Sequence, residues 1–233
     1  MANITNNPEI FAFAFLGGII PSFLWLWFWL KEDKKHPEPK GLLAGVFILG
    51  MLSVVLIIPA QKFIQANIGS YTAHIILWAS IEEIIKYLAV IILLQRTAHI
   101  DEPIDWPIYL ITVALGFAAL ENAMFLIKPL TLGQNAVGLL TGQLRFLGST
   151  LLHTVSSGIL GVFLGFSLGA SSVKRKIYFI IGLLLAISLH SAFNFFIMED
   201  SGNNIIKALG FLWVSAIVVM LLFEKIRRIS GED

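Results

Sequence analysis

The chain has no cysteine, which excludes disulfides, a thiol nucleophile and thiolate metal ligands. Charge is scarce too: 13% of the 233 residues are Asp, Glu, Lys or Arg and 57% are hydrophobic, whereas soluble domains carry about 25% charged residues. That balance places the chain among polytopic membrane proteins. A formal net charge of +1 and no basic tract exclude a nucleic-acid partner. No His-Glu-x-x-His occurs, so the usual zinc-protease helix is missing. Each Asp (33, 101, 105, 200 and 233) lies outside the apolar runs, which excludes an intramembrane aspartyl dyad. There is no internal repeat and no linker long enough to separate domains, so residues 1–233 read as one integral-membrane unit.

What is present is a series of apolar runs long enough to cross a bilayer. They predict an all-α bundle of about seven spans: 10–30, 42–59, 71–94, 108–127, a fifth from 137 or 145 to 169, then 177–198 and 205–223. The first lacks a basic flank and a small-residue cleavage site, and reads as a retained helix. The fifth is too long for one untilted span, which suggests an interfacial or re-entrant start. Loop charges orient the bundle: eleven Lys and Arg fall in one set of alternate loops and three in the other. The N-terminus is therefore expected outside and the C-terminus in the cytoplasm. Trp25, Trp27 and Trp29 are expected in an interfacial belt. Gly161, Gly165 and Gly169 recur every four residues, as at close helix crossings.

Against this background Glu82, Glu83 and Lys86 stand in the middle of the third run, where each ionisable group costs roughly 2.5–3.5 kcal/mol. Lys86 is placed on the helix to neutralise one glutamate, which leaves the second unmatched. With the orientation above and a rise of about 1.5 Å per residue, the two glutamates lie roughly 12–17 Å below the outer boundary, Glu121 roughly 9 Å, and His153 and His190 roughly 12 Å. Asn194 shares a face with His190. Isolated polar groups bonding to neighbouring helices would explain any one of these, but not their convergence at one level. Arg145 is expected to snorkel to the outer interface, with a substrate contact as the lesser reading.

Two His and one or two Glu suit zinc, with a remaining glutamate to take a proton from bound water. The same residues permit a metal-free version, in which a Glu and a His activate water while the other His and Asn194 donate to an oxyanion. A proton- or cation-coupled transporter is the competing class. Against it, the polar groups cluster at one depth, and no two halves look alike.

Glu82-Glu83-Ile84-Ile85-Lys86, Phe117 to Glu121-Asn122, the lone His153 and His190 to Asn194 together resemble the motifs of the PrsW family of intramembrane proteases, distant relatives of the CAAX prenyl endopeptidases and Abi proteins. The resemblance implies an endopeptidase in a bacterial or archaeal plasma membrane, acting on a membrane-anchored protein such as an anti-sigma factor on its extracytoplasmic side. It implies Glu82 as base, Glu83, His153, His190 and Asn194 as catalytic partners, and Lys86, Glu121 and Asn122 as support. If zinc is the cofactor, Glu121, His153 and His190 are its expected ligands.

Overall fold

The helix ends follow from local chemistry. Ser70 caps one helix by accepting from the Ala73 amide at 3.3 Å. Gly133 (φ 68°) and Gly169 (φ 77°) supply the left-handed residues that stop two others. The computed structural model describes residues 8–31, 37–95, 97, 99–198 and 205–231, and among these there is no strand. The helices are α1 (Pro8–Leu30), α2 (Lys40–Asn67), α3 (Tyr71–Leu94), α4 (Asp105–Thr131), α5 (Asn135–Phe166), α6 (Ser172–Met198) and α7 (Ile205–Ile229). Six are long and apolar enough to cross a membrane. The seventh, α3, has the length but carries Glu82, Glu83 and Lys86.

Several boundaries differ from expectation. Helix α2 continues past Pro59 to Asn67, because a proline within a membrane helix is tolerated where neighbours satisfy the freed backbone groups. The fifth span is one continuous helix from Asn135, with a π-turn over Arg145–Thr150. Lys34, Lys35 and Arg96 of the orientation count, and His36, lie outside the described residues.

The bundle is built around α4, whose residues 107–119 are all buried. It packs most extensively against α1, α2 and the second half of α5. At the α2–α4 crossing two glycines face opposite backbones: a Cβ on Gly50 would fall on the Val113 carbonyl oxygen, and one on Gly116 on that of Phe47. Gly116→Ala should therefore destabilise the protein by about 3 kcal/mol, the upper end for an overpacked core, because backbone rather than a flexible side chain must yield. Thermal unfolding of the purified protein in detergent measures this. Gly161 and Gly165 admit Pro107 and Pro103 in the same way, whereas Gly169 meets nothing within 4 Å and serves as a helix stop.

Polar contacts brace the end of the bundle where α4 begins. Tyr109 donates its hydroxyl to Glu38, just ahead of α2. Asp105 accepts the Asp101 and Glu102 amides at 2.9 and 2.7 Å, and the Ile104 amide donates to Ser230 at 3.1 Å. The tryptophans at this end do not form one belt. Trp29 is buried against Phe223, with ring centroids 4.9 Å apart, and Trp27 alone of the three is largely exposed, under the Lys31 ammonium.

Candidate active site

Helical spacing turns Glu82, Glu83 and Lys86 to the inside of α3, where all three are buried. The Lys86 ammonium donates to Glu83 Oε1 at 2.8 Å and to His153 Nδ1 on α5 at 2.9 Å. An ammonium only donates, so His153 Nδ1 is an acceptor and the ring proton sits on Nε2. From there it is donated to Glu121 Oε2 on α4 at 3.1 Å. Glu83 also receives Ser157 Oγ at 2.7 Å and His190 Nδ1 of α6 at 2.8 Å. Two donors on Oε1 and one on Oε2 leave neither oxygen of Glu83 without a partner.

Because His190 gives its Nδ1 proton to Glu83, its Nε2 is a free lone pair, 3.5 Å from Glu82 Oε2. Glu82 accepts from Gln61 Nε2 of α2 at 3.0 Å through Oε1, and its buried Oε2 has no hydrogen-bond partner among the described residues. A buried carboxylate oxygen without a donor is costly, and it marks where a ligand, a water or a cation would be held. Glu82 lines a cavity of about 550 Å³, together with Gln61, Glu121, Arg145, His153, His190 and Asn194. The rest of the lining is mostly apolar, including Ile57, Trp78, Phe117, Met124 and Leu209.

Carboxylate and imidazole atoms of Glu82, His153 and His190 lie within 4.8 Å of one another. In kind this group fits zinc, which takes oxygen and imidazole ligands and keeps a position for water, and the three side chains would close in on the ion from their present separations. The set differs from the expected one in a carboxylate: Glu82 joins the two histidines, while Glu121 is taken up by Arg145 and His153. At His153 the two uses exclude each other. With its proton on Nε2 the ring is a donor; as a ligand through that atom it must carry the proton on Nδ1, and Lys86 must turn toward Glu83 alone.

The cluster therefore brings together Glu82, Glu83, Lys86, Glu121, His153 and His190, with Asn194 half-buried on the same cavity. Asn122 stands one step away, donating to Thr150 Oγ1 at 2.8 Å and accepting from Arg145 Nε at 2.6 Å. Sequence reasoning missed four residues here. Gln61 was hidden by ending α2 at Pro59. Ser149 and Ser157 were indistinguishable from packing serines. Arg145 does not snorkel outward; its guanidinium turns in to Glu121, Asn122 and Ser149. An arginine spaced eight residues before His153 on the same helix was the available signal.

The described residues form seven packed helices that hold a Glu/His centre on an internal cavity, the organisation of an intramembrane hydrolase. Residues 38–223 match the family described as PrsW family intramembrane metalloprotease. The chain belongs to that family and is an intramembrane peptidase. It is similar to Protease PrsW of Shouchella clausii, 28% identical over 186 residues covering 76% of this chain and 80% of that one. The corresponding protein of Geobacillus kaustophilus is 29% identical, covering 78% of each chain. That of Bacillus subtilis is 26% identical over 84% of this chain and 88% of its own. No solved structure matches.

Proposed function

We propose that the protein is an endopeptidase that cuts a membrane-anchored, single-pass protein on its extracytoplasmic side, with Glu82 as the general base. The observation that carries this reading is the unpartnered Glu82 Oε2 on the cavity, beside the His190 Nε2 lone pair. Glu83 has no free acceptor of this kind, which supports assigning it the task of orienting His190. The apolar lining suits a substrate segment that leaves the bilayer in extended form. The bias of loop charges supports a site in the outer half of the membrane, where a cut on the extracytoplasmic side of an anti-sigma-factor-like substrate would fall.

The chemistry is hydrolysis. Glu82 takes one proton from a water as its oxygen bonds to the scissile carbonyl carbon. The Asn194 amide donates to the developing oxyanion, and the His153 Nε2–H shares its proton between that oxygen and Glu121. Glu82 then delivers its proton to the amide nitrogen as the C–N bond breaks, leaving a carboxylic acid and an amine. If zinc is the cofactor, Glu82, His153 and His190 would hold it, a remaining glutamate of the cluster would take over from Glu82 as proton acceptor, and the metal would supply Lewis-acid charge and a more acidic water.

The purified protein, reconstituted with a single-pass test substrate bearing an extracytoplasmic domain, is expected to release that domain at one bond identified by mass spectrometry. His190→Ala and His153→Ala proteins should release none above background. Wild-type cleavage by the His190→Ala protein, or ion flux without any peptide cleavage, would sink the reading. Metal analysis of the same three preparations settles the cofactor: zinc in the wild type and in neither variant assigns it to the two histidines.

A further inference from the structure

We infer that Arg145, which belongs to none of the motifs above, is a positioning residue of this site: acting through Glu121, it sets the orientation of the His153 ring. The inference rests on the peptidase reading for its kinetic consequence, and on geometry for its structural one. A part-buried charged side chain in an apolar helix needs a partner, and Arg145 has several on its guanidinium. Nε donates to Asn122 Oδ1 at 2.6 Å, and Nη2 donates to Glu121 Oε2 and to Ser149 Oγ, the latter at 2.8 Å. The plane of the group lies over the Phe125 ring, 3.9 Å from its centroid. Donors fixed in a plane and backed by an aromatic face hold a carboxylate in one pose.

The backbone is shaped for the same task. The π-turn over Arg145–Thr150 adds a residue to the turn, a device frequent at functional sites. It brings Thr150 back under Arg145, so that Thr150 Oγ1 donates to the Arg145 carbonyl at 3.1 Å and accepts from Asn122 at 2.8 Å. Arg145, Ser149 and Thr150 thus all converge on Glu121 and Asn122. Glu121 Oε2 collects Arg145 Nη2, Ser149 Oγ at 3.2 Å and His153 Nε2 at 3.1 Å. Without the guanidinium Glu121 keeps Ser149 Oγ and His153 Nε2 but loses the charged donor that fixes its pose, and the acceptor that aims the His153 N–H is held less firmly.

Steady-state cleavage by Arg145→Ala, Arg145→Lys, Glu121→Gln and the Arg145→Ala/Glu121→Gln double variant tests this. Arg145→Ala should lower kcat by about 10²-fold, the scale of a misplaced catalytic group, with KM within about twofold. Arg145→Lys should not restore the rate, because an ammonium supplies charge without the planar fork. In the Glu121→Gln background the further loss from Arg145→Ala should vanish. A rate unchanged in Arg145→Ala, full rescue by lysine, or equal fold-losses in both backgrounds would each overturn the proposal. An arm independent of activity uses ¹⁵N-histidine labelling, with the signal assigned by the His153→Ala variant. The His153 Nε2–H resonance of the wild type should shift in both Arg145→Ala and Glu121→Gln, and an unshifted resonance in Arg145→Ala overturns the proposal. If no preparation cleaves any peptide, the peptidase reading fails while this resonance still decides the role of Arg145. Arg145→Gln, checked by thermal unfolding, replaces the alanine variant if that does not fold.

Discussion

Glu82→Gln is expected to lose about 10²–10⁴-fold in peptide cleavage, the usual contribution of a general base, and at the same time to become more stable to heat. The amide keeps the carboxylate's shape. Its oxygen can still accept from Gln61, and its NH₂ can donate to the His190 Nε2 lone pair that now faces Glu82 Oε2 at 3.5 Å. The substitution therefore replaces a buried carboxylate oxygen with no partner by a satisfied donor, a gain of about 1–3 kcal/mol, or several degrees in a chain of this size. Opposite signs for rate and stability are the signature of a group kept for its chemistry. A Glu82→Gln protein that still cleaves, or one that melts well below wild type, would contradict the assignment.

Lys86→Met should have the largest effect on stability. Lys86 has no exposed surface and is the cation facing Glu83, at 2.8 Å. Removing one partner of such a buried pair costs about 3–5 kcal/mol, because the other charge stays behind uncompensated. The loss should show as a large drop in melting temperature or as failure to accumulate in the membrane. The Lys86→Met/Glu83→Gln protein, with both charges removed, should recover most of that stability. It should not recover cleavage, since His153 would lose its tautomer-setting donor and His190 the carboxylate that orients it. Thermal melts of the single and double variants, with cleavage measured on the double, complete the cycle.

Much of this architecture is legible in the chain itself. Apolar runs long enough to span a bilayer announce the helices, and ionisable residues stand out in them because each is expensive there. Depth counted along helices brings Glu82, His153 and His190 to one level before any packing is known. What could not be read is azimuth. Nothing in the spacing separates Glu121 from Glu82 as the carboxylate grouped with both histidines, because that depends on how α3, α4, α5 and α6 rotate against one another. Nor does a hydropathy pattern reveal a π-turn, and that turn is where Arg145 and Thr150 are brought onto one face. Gln61 was missed for a simpler reason: a proline two residues earlier looks like a helix end in water.

The α3 helix follows α2 after only residues 68–70, and this bears on how the chain enters the bilayer in the first place. Three charged side chains near its middle cost roughly 7.5–10.5 kcal/mol on translocon-derived scales, whereas each Leu or Ile returns only about 0.3–0.6. Helix α3 is therefore a poor candidate for solitary partitioning from the translocon. The three-residue connection makes α2 and α3 a helical hairpin, and α2 is among the most hydrophobic segments of the chain. The pair should partition together, with Gln61 already beside Glu82, so that the catalytic segment reaches the lipid phase escorted by its neighbour and acquires its remaining partners only as α4 to α6 follow.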